Sequence, residues 1–344
     1  MKQHLKAVWE HSITVGPARP SLIPATKAAF CVAVPLTLLA VTGRLDWAMY
    51  AAFGAFCSVF GRYDTDAVRF WQQLSSGLVQ IAAMALGTFF SMIESPFVVR
   101  ILVLAAIAFG ANFVSCAVRW LPPGPVFAVF AGGACISVPA TADNFVGVLV
   151  VGVGTVIFSV LFMLGLSLRR SNLLHTLGKG FSWNPNPRAY TESTQMALAV
   201  FIAGAVAYTF GGNHWYWASL GAIAAVIGMN TYARVSRAIQ RCVGTCVGVL
   251  LTAVIVMFGP PIWVILLVAV ASQFCIEMVI LRHYAVGMIF MTVTALLMVH
   301  LGSAEPMSSL LVDRLSMTVL GAALGALQSI LIGLLANRRA ALNE

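Results

Sequence analysis

Acidic side chains are scarce in this sequence. Only 11 of its 344 residues are Asp or Glu, and charged residues of both signs make up 9%, against about 25% in an ordinary soluble domain. With 60% hydrophobic residues and a mean hydropathy of +0.93, that shortage excludes a soluble fold, because an interior of this size cannot hide so much apolar surface. The motifs of catalysis are missing too: there is no HExxH, GxSxG, Walker loop or CxxC pair, so an enzyme is the weakest functional class. Six histidines lie scattered without metal spacing, and neither a metal nor a cofactor is expected. The seven cysteines all sit inside apolar runs and read as small buried hydrophobes, not as disulfides or metal ligands. The net charge of +9 comes without interleaved basic and aromatic loops. It points to cytoplasmic loops of a membrane protein, with no nucleic-acid partner.

What the chain has in abundance is apolar runs. A polar arm, residues 1–20, precedes them, with Leu5, Val8, Trp9, Ser12 and Ile13 on one face of an interfacial helix. No cleavable signal peptide is expected, because the first apolar run is long and follows this basic arm. Six spans are then expected in residues 21–168, near 22–43, 47–60, 74–93, 97–117, 125–140 and 145–168. The second and fifth are shorter than the roughly 20 residues a regular span requires. A linker, residues 169–192, holds a short amphipathic helix (Leu173, Leu174, Leu177, Phe181) closed by Asn184-Pro185-Asn186-Pro187. Residues 193–336 repeat the plan, and a tail, 337–344, follows. The expected fold is therefore all-α and integral to the membrane. It has about twelve transmembrane helices in two six-helix repeats.

Two stripes anchor the repeat. Arg234, Arg237 and Arg241 fall on one helical face that continues as Gly244, Thr245 and Gly248. A degenerate copy carries Arg62, Asp66, Arg69, Gln73, Ser76 and Gln80. Trp47 aligns with Trp217, Arg69 with Arg237, Gln73 with Arg241 and Asp143 with Asp313 at a nearly constant offset. With both termini inside, seventeen Lys and Arg fall on the cytoplasmic side, and only Arg44, Arg100 and Arg314 outside. Six spans per half make the repeats parallel, related by a pseudo-two-fold axis along the membrane normal.

The twin six-span halves and the run Arg237, Arg241, Gly244, Thr245, Gly248 resemble the fusaric-acid-resistance or aromatic acid exporter family, over Leu22 to Leu335. The six-span core also resembles plant aluminium-activated malate channels. The resemblance implies an inner-membrane permease exporting aromatic or other organic acids, with a passive anion channel of the same architecture as the alternative. A third class is a scaffold for envelope assembly, which would use none of the arginines. Many relatives carry a cytosolic domain that has no counterpart here, and the first half has Ser76-Gly77 where the second has Gly244-Thr245.

The candidate residues each carry two readings. Arg241 and Arg237 offer guanidinium groups to a carboxylate; the alternative is that they only mark the cytoplasmic side, the reading preferred for Arg234. Arg62 and Arg69 are expected to be neutralised by Asp64 and Asp66. Gln73, Thr245, Asn112 and Gln273 either line a path or bond between helices. Glu277, a turn before Arg282, is a charge pair or a proton carrier. Gly244 and Gly248 form a small-xxx-small pair for helix packing. Lys27 is expected to snorkel to the surface. His300 is expected to be interfacial, and Trp47, Tyr50, Trp215, Tyr216 and Trp217 to form an outer aromatic belt. The partners expected are a small organic anion and the bilayer; an oligomer is not required. Any uphill transport has to run on an ion gradient or the membrane potential.

Overall fold

A computed structural model describes residues 16, 21–168, 173–211, 214–228, 231–302 and 305–342, with the backbone alone at 173–176 and 335–342. The polar arm, apart from Gly16, lies outside the described residues. Among those residues every regular element is helical. The first half contains α1 (Leu22–Val41), α2 (Ala48–Ala55), α3 (Asp66–Met92), α4 (Phe97–Val118), α5 (Val126–Ser137) and α6 (Ala142–Leu168), the last interrupted by a π-helical turn at Val148–Gly152. After α7 (Leu173–Gly180) come α8 (Ala189–Thr209), α9 (Tyr216–Val226), α10 (Thr231–Met257), α11 (Ile262–Val279), α12 (Tyr284–Gly302) and α13 (Met307–Leu342).

Eight of these helices are long and apolar enough to cross a membrane: α1, α3, α4, α6 and α10 to α13. The remainder of the expected twelve differ from them in length or composition. The short helices α2, α5 and α9 are too short to cross alone, and α8 has the length but opens on polar residues such as Glu192. Helix α12, expected to be short like its counterpart α5, has 19 residues and qualifies. The second stripe lies wholly within the 27-residue α10, and the first lies within the 27-residue α3 apart from Arg62, which is in the turn before it.

The short helices sit in the centre. Every residue of α2 and of α9 is buried, whereas Leu38, Val98, Leu102, Leu250, Met257 and Leu267 on the long helices face outward, as lipid-facing surface requires. A helix that ends inside an apolar layer leaves carbonyls without partners, and neighbouring side chains supply them here. Gln73 Nε2 donates to the Ser58 and Phe60 carbonyls, both at 3.2 Å, just past α2. Ser91 and Arg100 donate to the Val138 and Ile136 carbonyls at the end of α5, at 2.6 and 3.3 Å. Ser329 and Arg234 do the same for Ala225 and Gly228 after α9, at 2.9 and 3.0 Å.

The halves meet reciprocally. Helix α1 packs on α11 and α8 packs on α4, so the first helix of each half lies against the fourth of the other. Likewise α2 meets α12 and α9 meets α5. At one end of the bundle a matching trio recurs. Arg44 Nη2 donates to Asp143 at 2.6 Å and its guanidinium lies 3.4 Å from the Trp47 ring centre. His214 lies 3.0 Å from Asp313 and stacks on Trp217 at 4.4 Å. All three counterparts are 170 residues apart (44 to 214, 47 to 217, 143 to 313).

The two trios differ in burial. The side chains of Arg44 and Asp143 are 38% and 59% exposed, those of His214 and Asp313 3% and 19%. Asp143→Asn is therefore expected to change stability by about 0–1 kcal/mol. Asp313→Asn should cost about 1–3 kcal/mol, because it weakens a mostly buried hydrogen bond. Thermal unfolding of the two variants in detergent checks the order; equal shifts would mean that burial does not set the difference.

The aromatic-belt expectation is corrected. Trp47, Tyr50, Trp215, Tyr216 and Trp217 are all buried, at most 9% exposed, because α2 and α9 are enclosed on every side and do not reach lipid. Arg314, counted among the cations on the outer side, is enclosed in the bundle. It lies 1% exposed beside the Trp217 ring, 5.2 Å from its centre. His300 is partly buried, at the end of α12.

Candidate functional site

The stripe of α10 divides between packing and charge. Gly244 and Gly248 lie against α12, where a Cβ on Gly244 would stand 2.3 Å from the Ala285 carbonyl oxygen, and one on Gly248 2.7 Å from that of Ile289. This closeness draws the start of α12 under the arginines one turn earlier on α10. Arg241 is 2% exposed, and its Nη1 donates to the Tyr284 hydroxyl at 3.1 Å and faces the Met288 sulfur at 3.7 Å. Arg237 lies over the Tyr284 ring, 4.4 Å from its centre. The Nε of each arginine has no hydrogen-bond partner, so both retain donor capacity.

Across the boundary between halves, Arg62 follows a left-handed Gly61 (φ 68°). A Cβ on that glycine would stand 2.7 Å from the Arg69 backbone, so the tight turn needs glycine. The turn sends Arg62 away from its sequence neighbours and onto α11. There its Nη2 pairs with Glu277 Oε2, and its Nη1 donates to the Glu277 carbonyl at 3.1 Å. Gln273 Nε2 lies 3.4 Å from the other carboxylate oxygen. The side chains of Arg62 and Glu277 are only 8% and 4% exposed. Burial pushes the Arg62 guanidinium below its ordinary pKa, opposed by the neighbouring Tyr63.

Two expectations are thereby corrected. Arg69 pairs with Asp66 as expected, but Arg62 pairs with Glu277 and not with Asp64, which instead accepts from Gln72 at 3.1 Å. Glu277 is a charge pair, yet its partner is Arg62 of the other half and not Arg282, because the cross-half packing of α1 on α11 brings the 61–65 turn against it.

Three cavities have Glu277 in their walls. The largest, about 350 Å³, is lined by Arg62, Tyr63, Arg237, Arg241, Tyr284 and Glu277, with Phe127, Ile276, Met291 and the 121–124 loop as its apolar wall. A pocket of about 40 Å³ shares Phe127, Ile276, Met291 and Glu277 and continues between Met49, Phe53, Phe56, Phe130 and Met298 of the short helices and α12; Gln273 also lines it. A third, about 20 Å³, shares Arg62 and Glu277 and adds Lys27 and Arg69. Lys27, expected to snorkel outward, is thus directed inward. Together the three carry Lys27, Arg62, Arg69, Arg237 and Arg241 against one carboxylate.

Not every candidate lies there. Gln73 is spent on the carbonyls after α2. Thr245 is fully buried without a hydrogen-bond partner and lines none of these cavities. Asn112 donates to Ser193 at 3.1 Å and borders a separate cavity of about 400 Å³ on the α4–α8 side, together with Arg119, Glu192 and Arg234. Tyr284 and Tyr63 were missed by sequence reasoning. The only signal for Tyr284 was its place at the start of an apolar run directly after Arg282-His283. Arg314 was missed as a buried cation. It has no acidic partner among the described residues, and its Nε and Nη1 have no hydrogen-bond partner.

Residues 199–328 match the family described as Fusaric acid resistance protein-like, which covers α9 to α12, about half of α8 and most of α13. The chain is also 30% identical over 167 residues to a protein of Bacillus subtilis (strain 168) named Uncharacterized membrane protein YvaC, an alignment covering 48% of this chain and 26% of that protein. The chain thus spans about a quarter of the length of the curated relative it matches. No solved structure matches. The match over 199–328 includes the Arg237 to Gly248 run on which the family resemblance was read.

Proposed function

We propose that this chain, with its fusaric acid resistance protein-like region at residues 199–328, is an inner-membrane permease that exports organic anions, aromatic carboxylates foremost. The observation that carries the reading is the lining of the cavities between the halves: Lys27, Arg62, Arg69, Arg237 and Arg241 with Glu277 as the one lining carboxylate, Asp66 paired to Arg69 behind them, and walls of Phe, Tyr, Met and Ile. An anion leaving water needs fixed positive charge in place of its hydration shell. A ring attached to it needs apolar, aromatic surface. Arg241 and Arg237 offer free N–H donors to a carboxylate at the wide end, and the pocket between α2, α5 and α12 suits the ring. The path then runs between the halves, with short helices in its walls, where transporter sites formed by interrupted segments are expected.

In this reading α2, α5, α8 and α9 complete twelve crossings, six per half, and the halves are parallel repeats. The reciprocal contacts of α1 with α11 and α8 with α4 support that symmetry. The positive-inside bias places both termini in the cytoplasm. Cysteines introduced at Ala142 and Asn186 should then label from opposite faces of the membrane, and labelling of both from outside would end this topology. Energy comes from an ion gradient or from the membrane potential, worth about 2.3 kcal/mol per charge per 100 mV.

Flux of radiolabelled benzoate in proteoliposomes tests the function. Accumulation driven by an imposed potential or pH gradient is the expected result. Equilibration alone with large currents would make the protein a channel of the same architecture, and no flux would leave a scaffold role.

A further inference from the structure

Glu277 stands where a permease for anions has least use for a negative charge. It is the one carboxylate among the described residues that lines these three cavities, and it lines all of them. The equivalent position in the other half is neutral: Asn112 lies fifteen residues past the start of α4, as Glu277 does in α11 (97 to 112, 262 to 277). Asn112 bonds Ser193 across the opposite interface. The acid at that interface, Glu192, accepts from the Cys116 thiol, and no arginine–carboxylate pair joins the halves there among the described residues, so holding α1 against α11 does not account for the buried pair of Arg62 and Glu277.

What the carboxylate does is occupy a guanidinium. Arg62 gives Glu277 both of its terminal nitrogens, one to the side chain and one to the main chain. This is the donor pair that a free carboxylate would take. We propose that Glu277 is a tethered competitor. Its carboxylate holds Arg62 in place of the transported anion, and either an entering anion or a proton on Glu277 releases it. The inference rests on the anion-permease reading and adds its regulation.

Linkage sets the sign. Anion bound at Arg62 leaves Glu277 without its counter-ion, so the loaded protein takes up a proton more readily than the empty one. By reciprocity a protonated Glu277 binds anion more tightly. Anion affinity therefore rises as pH falls.

Other charged and titratable groups surround the site. Lys27 of α1 and Arg69 of α3 face it through the smallest cavity, with Asp66 paired to Arg69. Arg237 and Arg241 of α10 and Tyr284 of α12 face it through the largest, as does Tyr63 beside Arg62. Helix α5 brings only Val126, Phe127 and Phe130. On α11 itself Gln273 does not titrate, and Arg282 and His283 lie in the turn between α11 and α12; a free imidazole titrates near neutrality, so His283 serves as the control.

The test is equilibrium binding of radiolabelled benzoate to the purified full chain in detergent, between about pH 8 and about pH 5.5. Parent protein should bind about tenfold more tightly at the acid end. Glu277→Gln should bind at the alkaline end as tightly as the parent does in acid, with no further response to pH. His283→Gln should behave as the parent.

Because Glu277→Gln leaves Arg62 buried without its partner and could fold poorly, a second measurement uses the unaltered protein. Adding benzoate in weak buffer near neutral pH should draw up to about one proton per chain from solution. Benzoate binding without proton uptake overturns the competitor role. So does a Glu277→Gln variant that keeps the parental affinity and pH response, or a response lost with His283→Gln. Each of these leaves the permease reading standing, whereas no benzoate binding by any variant at any pH overturns that reading and the competitor with it.

Discussion

Arg241→Gln is expected to lower the initial rate of benzoate efflux tenfold or more at matched protein levels in the membrane. The guanidinium is 2% exposed, lines the cavity of about 350 Å³, and donates only to Tyr284 and weakly to Met288. Removing one partner from a desolvated, hydrogen-bonded charge pair costs about 2–5 kcal/mol, and 1.4 kcal/mol is about one decade. At a solvated surface the loss would be nearer 0–1 kcal/mol, so the size of the effect reports where the anion meets the arginine. Arg241→Lys should restore part of the rate, since an ammonium keeps the charge but cannot make a two-pronged contact. Arg234→Gln should change the rate little, because Arg234 serves the Gly228 carbonyl and lies outside these cavities. If Arg241→Gln exports as fast as the parent, the buried arginines of α10 are structural and the anion site lies elsewhere.

Gly244→Val should have the largest effect on folding. A single Cβ there already lands 2.3 Å from the Ala285 carbonyl oxygen and 2.6 Å from the Met288 Cβ. Backbone cannot turn aside as a side chain can, so α10 and α12 must separate. Overpacking of this kind costs about 1–3 kcal/mol even where side chains adjust, and more where they cannot. We expect the folded yield of Gly244→Val to fall several-fold, and its detergent melting temperature to drop with it. Gly110 is the control. Nothing lies within 4 Å of a Cβ built there, so Gly110→Ala should be neutral or stabilising by up to about 1 kcal/mol. A Gly244→Val protein that folds and melts like the parent would show that the α10–α12 contact is looser than its geometry.

Both substitutions lie in a stretch that was legible before any coordinates. The spacing of Arg234, Arg237, Arg241, Gly244 and Gly248 puts them on one helical face because an α-helix repeats every 3.6 residues. The role of Gln73 was not legible. In sequence it is a polar residue in a stripe, equally a path residue or a bond between helices. Its actual task, satisfying two carbonyls past the end of α2, exists only because α2 stops inside the bundle. Arg62 was misread for a related reason. Asp64 and Asp66 are its nearest acids along the chain, yet the left-handed turn at Gly61 carries it to a partner in the other half.

The sequence by itself determined the class of protein, the helices and their order, the anchors at 47 and 217 and at 143 and 313, and the stripe that holds Arg237 and Arg241. These follow from composition and from local periodicity, which act within a few turns of chain. Tertiary structure decided which surfaces are inside. In a soluble helix the polar face marks the exterior, but lipid is as apolar as a protein core, so an apolar run does not say whether it faces a neighbour or the bilayer. That is why Trp47, Trp215 and Trp217, expected in a lipid-facing belt, are buried between helices at one end of the bundle. It is also why the pairing of Arg62 with Glu277 depends on the packing of α1 against α11.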